Sequence, residues 1–119
     1  MRVWIAGAAG VALLVADAAV AATRLAPKDV QATFFNGQPF TASTTSKVKF
    51  QMVFTPDGKA TREPVGNKGA KGQGTWKLTG DGFCTSWGTP GSNCYTVMDS
   101  GNGKWSIMKG PTLVAVWSK

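Results

Sequence analysis

The sequence predicts an all-β fold: a small antiparallel up-and-down barrel of about seven to eight strands, preceded by a short helix. Two observations carry this. From Phe40 onward apolar side chains recur with a period of two, and Gly, Asn, Asp and Pro interrupt the chain at short, regular intervals. With so many strands in so short a chain, closing the sheet removes its exposed edges; a two-sheet sandwich is the alternative.

Before the strands comes a leader. Arg2 is followed by an apolar Val/Ala/Leu/Gly stretch and by the small residues Ala19-Val20-Ala21, the order of a secretory signal with cleavage expected after Ala21. The uncharged run from Val3 to Ala16 is shorter than the roughly 20 apolar residues of a membrane span, and Asp17 follows it. Residues 1–21 are therefore expected to be a signal peptide and residues 22–119 a single β domain without a transmembrane span.

The first element of that domain is the stretch Ala26 to Phe35. Pro27 suits a helix start, and Val30, Phe34 and Phe35 would share one side and cap a barrel end, with Asn36-Gly37 as the stop. Lys47 to Phe54 then alternates: Val48, Phe50, Met52 and Phe54 on one face, Lys47, Lys49 and Gln51 on the other. Pro56-Asp57-Gly58-Lys59 is a turn, and a return strand runs from Lys59 to Val65, with Pro64 marking its end or an edge. Gly66 to Gly74 reads as a loop. Further strands are expected at Thr75–Thr79, Phe83–Trp87, Cys94–Met98, Lys104–Lys109 and Leu113–Trp117, joined by Gly-rich turns. Trp76, Trp87, Trp105 and Trp117 are first of all core residues; Trp87 and Tyr95 are the candidate pocket at a partly open mouth.

The chain has two cysteines, Cys84 and Cys94, and an even count in an exported domain reads as one disulfide. A metal or redox pair is disfavoured because the sequence contains no His and the spacing is not C-x-x-C. Of 13 Lys/Arg and 6 Asp/Glu the leader holds one of each, so the formal charge of +7 stays with the β domain. That field favours anionic partners: an envelope surface or an acidic protein, with nucleic acid a poor candidate outside the cytoplasm. Lys68 and Lys71, on the glycine-rich loop, are the candidate anion contact. This loop is no phosphate-binding P-loop, because Lys71 is followed by Gly72-Gln73-Gly74 rather than Ser or Thr opening a helix.

Catalysis is not expected. With no His, both thiols paired, and Asp29, Asp57, Asp81 and Asp99 at a helix start or in turns, only Glu63 lies within a strand. A local ion pair with Arg62 or simple exposure accounts for it. No catalytic residue, metal or cofactor is assigned.

The run Gly74-Thr75-Trp76, then Cys84-Thr85-Ser86-Trp87, then Cys94-Tyr95, with a last strand ending in Trp117, resembles a type of small exported bacterial protein of lipocalin-like or related β-barrel form. The resemblance spans roughly Phe40 to Lys119 and implies a barrel but no catalytic residues. The expected function is a non-catalytic envelope binding module for an anionic or small apolar partner; the alternatives are a secreted inhibitor or accessory factor docking on an acidic protein, and an enzyme.

Overall fold

Alternating side chains on every strand must place their apolar members on one face, and in this chain that face closes on itself. A computed structural model describes residues 22–88 and 90–119. The expected leader, residues 1–21, and its expected cleavage site lie outside the described residues. The elements are β1 (Thr23–Arg24), α1 (Pro27–Phe34), β2 (Phe40–Thr44), β3 (Lys49–Thr55), β4 (Lys59–Pro64), β5 (Gly72–Leu78), β6 (Phe83–Ser86), β7 (Asn93–Gly101), β8 (Lys104–Lys109) and β9 (Thr112–Ser118). From β2 to β9 each strand pairs antiparallel with the next, and β9 returns to β2 from Thr41↔Ser118 to Thr44↔Ala115, closing an eight-stranded barrel. The small β1 lies beside β7 past the end of β6, pairing Thr23↔Asp99 and Arg24↔Met98.

The two faces separate as the period of two requires. Phe40 and Ala42 of β2, Met52 and Phe54 of β3, Ala60 of β4, Phe83 of β6, Val97 of β7, Ile107 of β8 and Trp117 of β9 are buried. An irregularity in the β8–β9 register, where Ile107 faces Ala115 but Met108 faces Leu113, leaves Val114 as an extra residue. Several boundaries differ from the sequence expectation. β3 begins at Lys49 because Lys47 takes a left-handed conformation (φ 69°) in the β2–β3 turn. β5 begins at Gly72 rather than Thr75, and β7 runs on to Gly101. Trp87 lies just beyond β6, not within it. The short strands β1 and β2 were not individually expected.

One end of the barrel is plugged by α1. Pro27 occupies its first turn, where a missing N–H costs nothing, and the Asn36 side chain donates to the Ala32 carbonyl (2.8 Å) as the helix ends. Val30, Phe34 and Phe35 are each 0% exposed. The Phe34 ring sits 4.9 Å from that of Trp105 and 5.0 Å from those of Phe40 and Trp117. Phe35 stacks on Phe54 at 4.7 Å and lies 4.6 Å from Trp76, whose indole N–H donates to the Thr55 carbonyl. The β3–β4, β5–β6 and β7–β8 turns surround this closed end. The opposite end is open and carries the β2–β3, β4–β5, β6–β7 and β8–β9 connections. Among the described residues no helix is long and apolar enough to cross a membrane.

Cys84 and Cys94 face each other on β6 and β7 and are joined by a disulfide. Two outcomes are expected of this architecture. Phe35→Ala should destabilise the fold by about 3–5 kcal/mol, read from urea unfolding. Replacing both cysteines by serine should cost about 2–3 kcal/mol, and the thiols should alkylate only after reduction.

Candidate functional site

The open end owes its shape to two glycines of β5. With the period of two, Gly72 and Gly74 share the inward face with Trp76, so the upper half of this strand presents bare backbone to the interior. A Cβ on Gly72 would lie 2.8 Å from Arg62 Nε, and one on Gly74 would lie 2.2 Å from the Ser86 carbonyl oxygen and 3.0 Å from the Trp87 ring. Arg62 and Trp87 occupy the room so left. The Arg62 guanidinium carbon stands 4.7 Å from the centre of the Trp87 ring and 5.6 Å from that of Phe50. Between these rings and the plug lies a pocket of about 200 Å³, mostly apolar, whose polar wall is Arg62, Thr85 and Tyr95, with Thr44 also lining it.

That polar wall is incompletely paired. Arg62 Nε and the Thr85 hydroxyl are buried and have no hydrogen-bond partner among the described residues. Thr85 stands beside the Tyr95 phenol without closing a good hydrogen bond to it. Burial pushes the Tyr95 phenol above its ordinary value, opposed by the neighbouring Thr85 hydroxyl and by the Arg62 charge. Glu63 does not neutralise Arg62: strand alternation sends it to the outer face, where it pairs with Lys71 at 3.6 Å. Of the two accounts expected for Glu63, a local pair with Arg62 or simple exposure, the side chain is exposed, and its pair is with Lys71 across the β4–β5 connection.

Around the mouth the charge is one-sided. Lys47 of the β2–β3 connection and Lys49 at the start of β3 line one shallow groove with Val65 and Lys68 of the β4–β5 connection. Lys71 and Lys109 complete the rim, Lys109 donating to the Asn93 side chain at 2.7 Å. Glu63 is the one carboxylate at this end among the described residues, whereas Asp29, Asp57, Asp81 and Asp99 belong to the closed end. There Thr55 donates to Asp57 and holds its carboxyl below the usual range, and Arg24 pairs with Asp81 at 3.6 Å. The exposed large apolar side chains, Val65 (63%) and Leu113 (42%), both lie at the open end.

The glycine-rich loop is more than a tether. Gly69 has φ 95°, and a Cβ there would come within 2.8 Å of Phe50 Cζ and 3.2 Å of Val48, so the loop backbone lies directly on the side chains of the mouth. Of its lysines, Lys71 is engaged by Glu63 and Lys68 joins the groove with Lys47 and Lys49. Trp87 and Tyr95, both singled out from the sequence, line the same pocket. Arg62 was missed, although Ala60 and Arg62 share a face opposite Lys59, Thr61 and Glu63 in the sequence. Among the described residues no group of His, Cys, Asp and Glu is placed to hold a metal ion. Comparison with known proteins finds no matching family model, curated protein or solved structure.

The chain contains a single tyrosine, so its phenolate absorbance reports Tyr95 alone. An alkaline titration of the folded protein is expected to place it above the ordinary value of 10.0. The fold favours the neutral phenol. Its stabilising contribution is therefore intact below about pH 10 and lost as pH rises through the raised native value. Tyr95→Phe should flatten that alkaline loss in a stability-versus-pH series.

Proposed function

We propose that the protein is a non-catalytic binding module of the cell envelope that meets an anionic lipid surface with the open end of its barrel. The observation that carries the reading is the partition of charge and apolar exposure between the two ends. The mouth gathers Lys47, Lys49, Lys68, Lys71 and Lys109 around Val65 and Leu113, while Glu63 is the sole carboxylate there among the described residues. Cations stand at both ends, but the aspartates that offset them lie at the closed end, so the net positive charge is concentrated at the mouth. Lysines near an anionic bilayer contribute on the order of 1 kcal/mol each, and exposed Val and Leu side chains add burial at the interface.

The envelope assignment rests on the leader expected over residues 1–21 and on the Cys84–Cys94 disulfide, which persists in an oxidising compartment. The binding assignment rests on the site's inventory: a guanidinium, two hydroxyls and aromatic walls supply donors and apolar surface, but no paired base and nucleophile. The lipocalin-like resemblance is consistent with a carrier or scaffold role. An acidic protein as the partner is the second reading, favoured by the same field.

Vesicle co-sedimentation separates the two. Binding to vesicles containing anionic lipid should exceed binding to neutral ones and should fade as salt rises, since attraction between exposed charges decays over roughly 8 Å at physiological ionic strength. The triple variant Lys47→Glu, Lys49→Glu, Lys68→Glu should abolish it. Lys71→Glu alone should weaken it less, because that lysine is already paired with Glu63. Equal binding to neutral and anionic vesicles would refute the reading; no vesicle binding, with salt-sensitive capture of an acidic protein, would establish the second.

A further inference from the structure

Inside the mouth, Arg62 occupies a position that the surface reading does not use. Its side chain is directed from β4 into the barrel, sandwiched by Phe50 and Trp87, while neighbouring Glu63 faces outward. Among the described residues it forms no ion pair, and its Nε is buried without a hydrogen-bond partner. A cation in a largely apolar cavity carries a desolvation cost that only a counter-charge or full hydrogen bonding offsets. The two aromatic faces compensate in part. Around the same pocket stand the unpartnered hydroxyl of Thr85 and the phenol of Tyr95.

We infer that the barrel mouth is a binding site for a small monocarboxylic acid, its carboxylate held by Arg62, Thr85 and Tyr95 and its compact apolar body lying among Phe50, Met52 and Trp87. The chemistry selects each part of this description. The three groups are donors, and one fixed positive charge matches one negative charge. The planar guanidinium fork fits the two oxygens of a carboxylate. Because burial raises the Tyr95 phenol, that group stays a donor at neutral pH. The size follows from the volume: a dry cavity of about 150 Å³ holds benzene, and the pocket here, at about 200 Å³, has room for a ring or short branched chain with its carboxylate. A long acyl chain does not fit below the mouth, since Phe35, Phe54 and Trp117 fill the barrel down to the plug.

Gly72 gives this site its construction. A side chain there would meet Arg62 Nε at 2.8 Å, so the glycine is what leaves room for the Arg62 side chain beside β5. The inference is independent of docking on a lipid surface: it concerns the interior, and the rim lysines take no part in it.

Calorimetric titration of the purified, disulfide-intact protein with benzoate, benzamide and palmitate tests it. Benzoate should bind at least about tenfold more tightly than the uncharged benzamide, and palmitate should not compete. Arg62→Met should remove the preference for the acid while leaving weak benzamide binding unchanged. It should also melt at or above the wild-type temperature, because a buried nitrogen without a hydrogen-bond partner has been exchanged for an apolar side chain of similar length. Gly72→Ala, which keeps the charge but displaces it, should weaken benzoate binding. Equal affinity for benzoate and benzamide, or no binding of either, overturns the proposal. So does an Arg62→Met variant that melts lower and still prefers benzoate, since Arg62 would then be a packing residue. Vesicle binding of Arg62→Met, measured alongside, should stay at the wild-type level, so either reading can fail without the other.

Discussion

The wedge of Phe34 and Phe35 into one end of the barrel is the contact on which the rest depends. A closed sheet of eight short strands encloses an interior that its own side chains must fill, and here a two-turn helix supplies the missing volume. Phe34 contacts rings from β2, β8 and β9, and Phe35 contacts rings from β3, β5, β6 and β9. Through Phe35 the plug thus ties β3, β6 and β9, which are not neighbours in the sheet. Filling this half so densely confines any free volume to the other half, where β5 contributes glycines instead of side chains.

The two ends consequently differ in physical character. At the closed end, carboxylates are used in ordinary ways: Asp57 and Asp81 accept from Thr55 and Thr79 within their turns, and Asp81 also meets Arg24. At the open end, polar groups are left short of partners, Glu63 is the sole carboxylate among the described residues, and apolar side chains meet water. Such features cost stability where they occur. A fold with a well-packed base tolerates them at its mouth, and that is where recognition concentrates in a barrel.

Much of this architecture was readable from the residues. The strict alternation of Val48, Phe50, Met52 and Phe54 and the punctuation at Pro56-Asp57-Gly58 define the β3–β4 hairpin, and Pro27 with Val30, Phe34 and Phe35 defines the plug. The polar β2 segment Phe40-Thr41-Ala42-Ser43-Thr44 has only small residues beside Phe40, so its amphipathic signal is faint. Gly72 and Gly74 merge in the sequence with the loop glycines before them, and their role as the floor beneath Arg62 and Trp87 exists only once β4, β5 and β6 lie side by side. Arg62 escaped notice for a related reason: next to Glu63 it looks like half of a surface pair, and only the inward face of β4 reveals that the two side chains diverge. The gathering of the aspartates at the closed end is likewise invisible along the chain, because alternate turns of a meander fall at opposite ends.

The cross-strand bond between Cys84 and Cys94 has a geometric consequence for recognition. β6 meets β7 over three paired positions, Phe83↔Tyr95, Cys84↔Cys94 and Thr85↔Asn93, and the bond occupies the middle one. So short a ladder is poorly protected against sliding, and in a strand a slip of one residue turns every side chain over. Such a slip would carry Tyr95 from the cavity to the outside and bring a neighbour inward in its place. By tying the two positions covalently, the cystine acts as a detent on strand phase, fixing which alternate residues of β7 belong to the interior.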